Sequence, residues 1–412
     1  MKLRSITLGI NWPSGDSSVF NRGVESFFKK ANTLFSEYGF EPRTCRIALP
    51  PLADGKGFQS GCSSIEQISA LCEGIGIRWF CVPFRTIGRN MADVNTLAVD
   101  IAGRHKNAFL NYIIAENGCF SGEAILHTAR FILAVSKLSD NGIDNFRCGA
   151  SFNCKPNGAF FPFTYHSGRD GFSVALEPVP LFIEMVKSGK SDRSLEEMRN
   201  GIIAGLEPLL KRVDDICLKL EEATGMIYYG IDASLAPHPE NPEHSVAKLV
   251  ELLGVDCFGG GGTAFITSFL TDIIKSLIKR SGVKAAGFNG VMYSMLEDPR
   301  LGIINSEQTD LLSIDLFLLL SAMCGCGVDM VPLPGDISEE ELASIMLDIA
   351  AAAIRLDKPL GVRLLPIPGK AAGQFTNFEH DFLQNTRIQR SKHHSCRSIF
   401  FGVRQPFFYI NT

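Results

Sequence analysis

The chain has 412 residues, of which 45% are hydrophobic and 20% are charged, and its formal net charge at pH 7 is −4. These proportions are typical of a globular protein, and the length allows one large domain or two to three smaller ones. Because the balance of charge is slightly negative, the chain offers no broad positive field for a nucleic-acid backbone, and we expect no nucleic-acid partner.

The amino terminus and the cysteines indicate the compartment. Residues 1–18 alternate as a strand does and then turn, without the apolar core and cleavage site of a signal peptide. The most apolar later segment, residues 314–323, is too short to span a bilayer. The twelve cysteines include no C-x-x-C pair, so zinc-ribbon and thioredoxin-like sites are unsupported. Free thiols in that number fit a reducing compartment, and we expect a cytoplasmic protein without a membrane partner.

Strand and helix patterns alternate along the first eighty residues. Residues 3–10 predict a strand, residues 20–38 carry an apolar stripe at helical spacing, and residues 44–49 predict a second strand. A short helix over 63–72 and a strand over 77–82 follow. This β-α-β-α-β rhythm predicts a layered α/β architecture.

Later segments are interrupted by turn and cap signals. A phenylalanine-rich stretch over 146–163 contains the turn signal Asn157-Gly158 and predicts a strand that runs into a structured loop. Two capping boxes, Ser194-Leu-Glu-Glu197 and Ser338-Glu-Glu-Glu341, each open a helix. Gly225 is a natural end for the first of these helices. The remaining predicted elements are strands over 171–177, 226–231 and 362–365, the end of another strand over 287–292, a helix that follows Thr263 and runs to Lys279, and a helix over 311–323.

No internal repeat and no low-complexity linker divides the chain. We therefore predict a single domain over residues 1–387. Residues 388–412 become first basic and then aromatic, and we interpret them as a divergent carboxyl-terminal tail.

Three polar side chains at predicted strand ends are candidates for acid–base catalysis. Asp232 ends the strand over 226–231, where α/β proteins place their ligands, although its carboxylate could instead cap the following turn. His166 follows an aromatic run and is a natural proton shuttle near neutral pH, although a histidine beside aromatic residues is more often structural. Glu116 follows the apolar run over 109–115 and could serve as an acid, a base or a hydroxyl ligand.

Two groups of residues suggest that an anion binds. Four glycines followed by Thr263 and a helix resemble a loop whose backbone amides approach a phosphate or carboxylate, although helix–strand packing also requires glycines. Arg85 and Arg89 could clamp such a group, although solvated helix faces carry arginines as well. The candidate ligand-binding residues are Arg85, Arg89, Asn90, Asn117, Gly259, Gly260, Gly261, Gly262 and Thr263.

Metal binding is unsupported by spacing. One loop contains His238, Glu240, Glu243 and His244, which could hold a divalent ion, but the H-E-x-x-H spacing of zinc proteases is absent. We expect no permanent metal, and the sequence leaves the identity of any other cofactor open.

Several short strings follow one another in a fixed order along the chain. They are Ser5-Ile-Thr-Leu8, Phe161-Pro-Phe-Thr-Tyr-His166, Phe172-Ser-Val-Ala-Leu-Glu177, Gly230-Ile-Asp-Ala-Ser-Leu-Ala-Pro237, Gly287-Phe-Asn-Gly-Val-Met292, Val328-Asp-Met-Val-Pro-Leu-Pro-Gly-Asp336, Ile367-Pro-Gly-Lys370 and Phe378-Glu-His380. In this order and spacing the chain resembles the uncharacterised family called domain of unknown function 711, up to about residue 388. The resemblance implies a ten-stranded β/α barrel related to those of pyruvate formate-lyase and anaerobic ribonucleotide reductase. It implies no established reaction.

The radical chemistry of those two enzymes is unsupported in this chain. They use a carboxyl-terminal glycine in an Arg-Val-x-Gly-type loop, whereas the tail here has Gly402 followed by Val403 and Arg404, in a different order. Cys154 and Cys326 could lie in a barrel, but neither has the adjacent motif. We therefore expect no glycyl radical.

Two functional hypotheses remain. The first is a hydrolase, lyase or transferase that acts on a small anionic metabolite, with His166, Asp232 and Glu116 as acid–base groups at the mouth of the barrel. The second is a non-catalytic sensor or regulatory protein that binds a small ligand and lacks the radical machinery. Both take a small-molecule partner, and homo-oligomerisation stays open.

Overall fold

The computed structural model describes residues 2–13, 17–52, 56–188, 193–237, 239, 241–307, 310–324, 326–391, 395–396 and 402. Within these residues the chain forms a mixed α/β fold with eleven strands and eleven α-helices. The strands are β1 (Lys2–Gly9), β2 (Glu41–Pro42), β3 (Cys45–Ala48), β4 (Trp79–Arg85), β5 (Ala108–Glu116), β6 (Cys119–Phe120), β7 (Cys148–Phe152), β8 (Gly171–Leu176), β9 (Ile227–Asp232), β10 (Gly327–Pro334) and β11 (Leu360–Ile367). The helices are α1 (Ser17–Glu37), α2 (Lys56–Gly74), α3 (Met91–Arg104), α4 (Gly122–Ser136), α5 (Val179–Lys187), α6 (Leu195–Thr224), α7 (Val246–Leu252), α8 (Thr263–Ser281), α9 (Pro299–Glu307), α10 (Ile314–Cys324) and α11 (Glu339–Arg355).

All eleven strands belong to one sheet, in the order β10-β11-β7-β5-β4-β3-β1-β8-β9, with β2 beside β1 and β6 beside β5. The strands β1, β3, β4, β5 and β7 run parallel to one another. The direction reverses at both flanks of this group, because β8 is antiparallel to β1 and β11 is antiparallel to β7. One end of the sheet therefore collects the amino ends of the five parallel strands together with the carboxyl ends of β8 and β11.

Both faces of the sheet are buried, as β4 illustrates. Phe80, Val82 and Phe84 belong to the large hydrophobic cluster that includes residues of the surrounding helices. Trp79 and Cys81 belong to a second, smaller cluster on the other face. Because alternate residues of a strand point to opposite faces, burial of the whole run requires apolar partners on both sides.

The predicted helix caps are confirmed. Ser194 and Glu197 exchange hydrogen bonds with each other's backbone amides at the start of α6, and Ser338 and Glu341 do the same at the start of α11. Gly225 ends α6 with a φ of 72°, in the left-handed region that favours glycine. Each capping box satisfies two backbone donors that would otherwise lack partners.

A closed ten-stranded barrel is not confirmed, because the sheet has eleven strands and the ladder ends at β9 and β10. The two edges are linked only by isolated bridges among the described residues. Ile231 pairs with Ala285, Leu235 pairs with Val291, and Ser294 pairs with Asp329 of β10. Residues 285–294 thus run between the two edges without forming a regular strand.

The predicted division into a domain over 1–387 and a tail over 388–412 stays a prediction. Most of residues 388–412 lie outside the described part of the chain, but Ile388 is buried in the second hydrophobic cluster. Among the described helices, none combines the length and the apolar character that a membrane crossing requires.

Candidate anion-binding site

A cavity lies near the amino ends of β1, β3, β4 and β5. Its free space is about 40 Å³, which is room for only a few water molecules. Most of its wall is aromatic, and the charged side chains that line it are mainly arginines. The lining residues are Arg4, Arg43, Arg46, Trp79, Phe109, Phe146, Phe160, Phe161, Phe163, Pro237, Pro239, Met292, Glu297, Asp329, Arg363 and Phe382.

Strand irregularities coincide with two of the charged residues. The pairing of β1 with β8 shifts register between Leu3 and Ser5, so that Arg4 lies at the shift. The pairing of β10 with β11 shifts between Val328 and Val331, which places Asp329 at the shift. Such bulges change the direction in which a side chain points and occur frequently beside functional sites. We infer that they turn Arg4 and Asp329 towards the cavity.

Arg363 of β11 holds two carboxylates at one side of the cavity. Its Nε and Nη2 donate to the two oxygens of Asp329 at 2.5 and 2.6 Å, and Nη2 also donates to Glu297 Oε2 at 2.6 Å. Burial raises the pKa of Asp329 despite the neighbouring guanidinium. Burial also opposes ionisation of Glu297, but Arg363 and Arg4 outweigh it and lower the pKa of Glu297. The two carboxyl groups share Arg363, and burial disfavours the charged form of both.

Arg43 and Arg4 lie at the amino end of β1. Arg43 pairs with Glu177, which follows β8, with Nη2 and Oε1 separated by 2.8 Å. Arg4 Nη1 donates to the carbonyl oxygen of Pro237 at 2.8 Å, and its guanidinium lies 5.4 Å from the centre of the Phe160 ring. Its Nε is buried, and none of the described residues forms a hydrogen bond with it. No carboxylate of the described residues pairs with Arg4.

Arg46 of β3 is the fourth arginine of the cavity, and only 6% of it is exposed. Its Nε donates to Thr44 Oγ1 at 2.9 Å, and its guanidinium lies 5.4 Å from the ring of Trp79 and 5.2 Å from that of Phe161. The aromatic rings cover the faces of the guanidinium, so that its edge N–H groups remain the available donors. Burial lowers the pKa of Arg46 to about 9, so it stays charged at pH 7.

The cavity therefore has an excess of positive charge. Four guanidinium groups, those of Arg4, Arg43, Arg46 and Arg363, face the carboxylates of Glu177, Glu297 and Asp329. Within the described residues, Arg4 and Arg46 lack a carboxylate partner. A buried charge is stable only when it is paired and hydrogen-bonded, and this arrangement suits a small anion.

His166 lies elsewhere, beside the carboxyl ends of β1 and β3. It is fully buried, and Gly9 of β1 approaches its ring so closely that any side chain at residue 9 would overlap it. Asn157 Oδ1 accepts from the backbone N–H of Ser167 and lies 2.9 Å from His166 Nδ1, so Nδ1 must carry a proton and donate. Within the described part of the chain Nε2 has no hydrogen-bond partner, and it lies 3.8 Å from Asp170 Oδ1.

Asp232 is fully buried at the end of β9 and does not line the cavity. Its Oδ1 accepts from the backbone N–H and hydroxyl of Ser234 and from the N–H of Asn289, and its Oδ2 accepts from the N–H of Phe288 at 2.7 Å. Burial raises the pKa of Asp232, although these hydrogen bonds oppose the rise. The bond from the Ser234 N–H caps the turn that follows β9, as the turn-capping alternative describes, and the bonds from Phe288 and Asn289 hold the loop over 287–290 against β9. Its catalytic role stays a prediction.

Glu116 and Arg85 form an ion pair at the carboxyl ends of β5 and β4. Arg85 Nε donates to Glu116 Oε2 at 3.0 Å, and the hydroxyl of Tyr165 donates to Glu116 Oε1 at 3.3 Å. Two of the predicted site residues, Arg85 and Glu116, thus lie in one cluster. The third member of this cluster is Tyr165, which directly precedes His166 in the chain. Asn90 instead caps α3, accepting from the N–H of Ala92.

The remaining predicted ligand-binding residues also lie outside the lining of the cavity. Asn117 is in a left-handed turn with a φ of 53°, and Arg89 has an interaction within the structure. The glycine loop precedes α8, where the Gly259 N–H donates to Thr263 Oγ1 at 3.0 Å. A side chain at residue 259 would contact Leu311, which supports the packing role. Anion binding by Gly259, Gly260, Gly261, Gly262 and Thr263 stays a prediction.

No group of three or more histidine, cysteine, aspartate or glutamate side chains suited to a metal ion occurs among the described residues. His238 and Glu240 lie outside those residues. Glu243 pairs with Lys187 at 3.2 Å.

Sequence reasoning missed all the charged residues of the cavity. Arg4, Arg46 and Asp329 lie inside strands, whereas the predicted site residues are at strand ends and in a glycine-rich loop. A charged residue within a run that is otherwise apolar, as in Cys45-Arg-Ile-Ala48 and Gly361-Val-Arg-Leu364, was the available signal. Such a charge is costly to bury and therefore has a partner or a ligand.

Comparison with known proteins gives a family without an assigned activity. The family model described as "Uncharacterised ACR (DUF711)" matches residues 1–385. A UPF0210 protein from Pyrobaculum aerophilum is 31% identical over 399 residues, which cover 91% of this chain and 87% of that protein. A UPF0210 protein from Carboxydothermus hydrogenoformans is 28% identical over 403 residues, covering 92% and 88%. Matches to two other relatives are shorter and span 55% of the Pyrobaculum arsenaticum protein and 38% of the Desulforudis audaxviator protein.

Proposed function

Since the chain belongs to the family described as "Uncharacterised ACR (DUF711)", whose description specifies no reaction, we propose a function from the geometry of the cavity. The protein binds a small anionic metabolite there and acts on it as a hydrolase, lyase or transferase. One observation carries the proposal: Arg4 and Arg46 face the same cavity, and neither has a carboxylate partner among the described residues.

The chemistry of the cavity supports an oxyanion in particular. Guanidinium groups donate in a planar fork that matches carboxylate and phosphate oxygens. The free space is narrow, so the bound group is the size of a carboxylate or phosphate, and any larger part of the metabolite must extend out of the cavity. Asp329 lines the same cavity, burial raises its pKa, and it is the proposed proton donor.

The acid–base roles of His166, Asp232 and Glu116 remain part of the proposal as a second possibility for catalysis. His166 Nε2 has the free lone pair that a general base requires. Product analysis with the variants His166→Asn and Asp232→Asn distinguishes catalysis in the arginine cavity from catalysis by these residues. Turnover that is unchanged in both variants removes these residues from the mechanism.

The proposed architecture is a ten-stranded barrel, as the family resemblance implies. Five strands of the proposed barrel are the parallel strands β1, β3, β4, β5 and β7. The other five are β8, β9, the segment over 285–294, β10 and β11. The single bridges at Ile231, Leu235 and Ser294 support this arrangement. The described cysteines are all free thiols, which supports a location in the reducing cytoplasm.

Anion binding is tested by thermal unfolding with inorganic phosphate. We expect phosphate to raise the melting temperature of the wild-type protein, because a ligand at one hundred times its Kd adds about 2.7 kcal/mol to stability. The variants Arg46→Gln and Arg4→Gln should lose the shift. Arg22→Gln, on the exposed face of α1, is the matched control and should retain it.

Potassium chloride at equal ionic strength controls for screening. An equal phosphate shift in wild type, Arg4→Gln and Arg46→Gln would remove the cavity from the function. If both cavity variants unfold at room temperature, phosphate binding by the wild-type protein decides the question alone.

The second candidate function is a non-catalytic sensor of the same small anion. The observation that favours it is that His166, Asp232 and Glu116 do not line the cavity. A sensor gives saturable stabilisation without turnover. Incubation with any phosphorylated or carboxylated metabolite that raises the melting temperature, followed by product analysis, distinguishes it from the enzyme.

A further inference from the structure

We propose that the arginine cavity takes up a tetrahedral dianion, such as a phosphate group, together with one proton, and that Asp329 receives the proton. This inference rests on the proposed function, in which the same cavity binds an anion. It adds the ligand's charge and shape, and it assigns Asp329 as the residue that touches it.

The shape of the ligand follows from the two guanidiniums that lack carboxylates. Arg4 and Arg46 are on different strands and are held by different partners, Pro237 and Thr44, so their unused donors are separate. A planar carboxylate has two oxygens, and one guanidinium fork can occupy both. A phosphate group has enough oxygens to accept from both arginines and to leave one oxygen facing Asp329.

The proton follows from the balance of charge. Four guanidiniums against three carboxylates leave one positive charge when all are ionised. A dianion converts this excess into one negative charge, and a proton from solvent restores neutrality. An ionised carboxylate can only accept hydrogen bonds, so it repels an oxyanion until a proton lies between the two.

The surroundings of Asp329 favour it as the site of protonation. Arg363 of β11 faces Asp329, and so do Ser294 and Glu297 of the segment after residue 285. Arg4 and Arg46 line the same cavity, and the ring centre of His380 lies 4.8 Å from that of Phe146. Glu297 is influenced by both Arg363 and Arg4, and their charges lower its pKa. Among the described residues Arg363 is the one guanidinium that forms an ion pair with Asp329, and burial raises the pKa of Asp329.

The backbone at this point adds independent support. Met330, directly after Asp329, has a φ of 52° and is fully buried. A positive φ is rare for a bulky residue and is retained where the surrounding structure requires it, often at ligand sites. Here it accompanies the register shift in the pairing of β10 with β11, at which Asp329 lies.

Calorimetric titration of the full chain with sodium sulfate tests the proposal, because sulfate is a tetrahedral dianion that does not itself titrate near neutral pH. Titrations at one pH in buffers with different ionisation enthalpies give the number of protons taken up. We expect about one proton per sulfate bound, and an affinity that falls up to about ten-fold per pH unit above the pKa of Asp329.

The variant Asp329→Asn should bind sulfate with proton uptake near zero and with an affinity that no longer falls as the pH rises. Asp336→Asn, an exposed position just beyond β10, is the matched control and should retain the wild-type proton count. A proton count near zero in the wild type, or an unchanged count in Asp329→Asn, overturns the proposal. If Asp329→Asn does not fold, the wild-type count and its pH profile decide.

Titration with sodium formate separates this proposal from the function on which it rests. Binding of formate that depends on Arg46, with no binding of sulfate, overturns the dianion and leaves the proposed function standing. Absence of binding by both anions overturns both. Displacement of sulfate by inorganic phosphate or by methyl phosphate supports the proposal and shows whether free phosphate or a phosphate ester is accepted.

Discussion

At the residue scale, hydrogen-bond partners determine what a buried polar group can do. The carboxylate of Asp232 accepts from Ser234, Phe288 and Asn289, so its lone pairs are largely occupied by the protein itself. One ring nitrogen of His166 is engaged with Asn157, and the other has no hydrogen-bond partner among the residues that the structure describes. In the cavity, Arg4 and Arg46 retain unused donors. Residues with unfilled hydrogen-bonding capacity are better candidates for ligand contact than residues whose capacity is used.

His166 should make stability depend on pH. Burial lowers the pKa of His166, although Asp170 opposes this. The stability that neutral His166 contributes to the folded protein is thus fully present above its unfolded pKa of roughly 6.5. This stability is lost as the pH falls below that value towards the folded pKa. The variant His166→Asn cannot take up this proton and should lose less stability between pH 7 and pH 5, by up to about 1.4 kcal/mol per pH unit.

Urea unfolding at pH 7, 6 and 5 measures this difference. His244→Asn, in a partly exposed loop, is the control and should follow the wild-type profile. Parallel profiles for wild type and His166→Asn would show that His166 does not titrate differently in the folded protein.

At the scale of elements, glycines allow strands of this sheet to approach closely. Gly327 begins β10 with a φ of 103°, and any side chain there would overlap the backbone of Gly361 on β11. Gly361 in turn packs against the ring of Phe163, which is part of the cavity wall. The pairing of β10 with β11 sets the distance between Asp329 and Arg363, so these glycines also position charged groups of the site.

The variant Gly327→Ala should therefore be destabilised by roughly 3 kcal/mol or more, because the new side chain has no room and the φ is unfavourable. Gly23→Ala, on the open face of α1, is the control. It should change stability by less than about 1 kcal/mol, since alanine is favoured in helices. Thermal unfolding of both variants measures the effect. Similar melting temperatures would mean that β10 and β11 are less tightly constrained than their contacts indicate.

At the scale of the whole molecule, residues near the carboxyl end of the described chain bond to α9 and β10 and pack in the core. Thr386 donates to the carbonyl of Gly302 on α9, and Gln389 donates its backbone N–H to the carbonyl of Pro332 on β10 at 2.9 Å. Ile388 is 2% exposed and belongs to the cluster that includes Trp79. The segment after residue 385, where the family match ends, therefore contributes to the core beside the cavity.

A chain that ends at Asn385 should be less stable than one that ends at Cys396, by roughly 3 to 5 kcal/mol. The shorter chain loses the buried Ile388 and leaves polar groups of α9 and β10 without partners. Denaturant unfolding of the two chains under identical conditions measures the difference. Equal midpoints would show that residues 386–396 are not part of the cooperative unit.

The sequence by itself determined the local features of this protein. The capping boxes at Ser194 and Ser338 and the glycine end of α6 depend on neighbours within four residues, and all were predicted correctly. The mixed α/β class followed from the alternation of strand and helix patterns. Family membership followed from the order of short strings along the chain.

The tertiary structure decided which charges meet. Arg4, Arg46, Asp329 and Arg363 are up to 359 residues apart, and nothing in their local patterns indicates a shared cavity. Sheet order and the bulges in β1 and β10 bring them together. Tertiary hydrogen bonds likewise gave Asp232 its place at the 287–290 loop, because its partners lie more than fifty residues away. Contacts of this kind depend on strand register, which the local sequence does not specify.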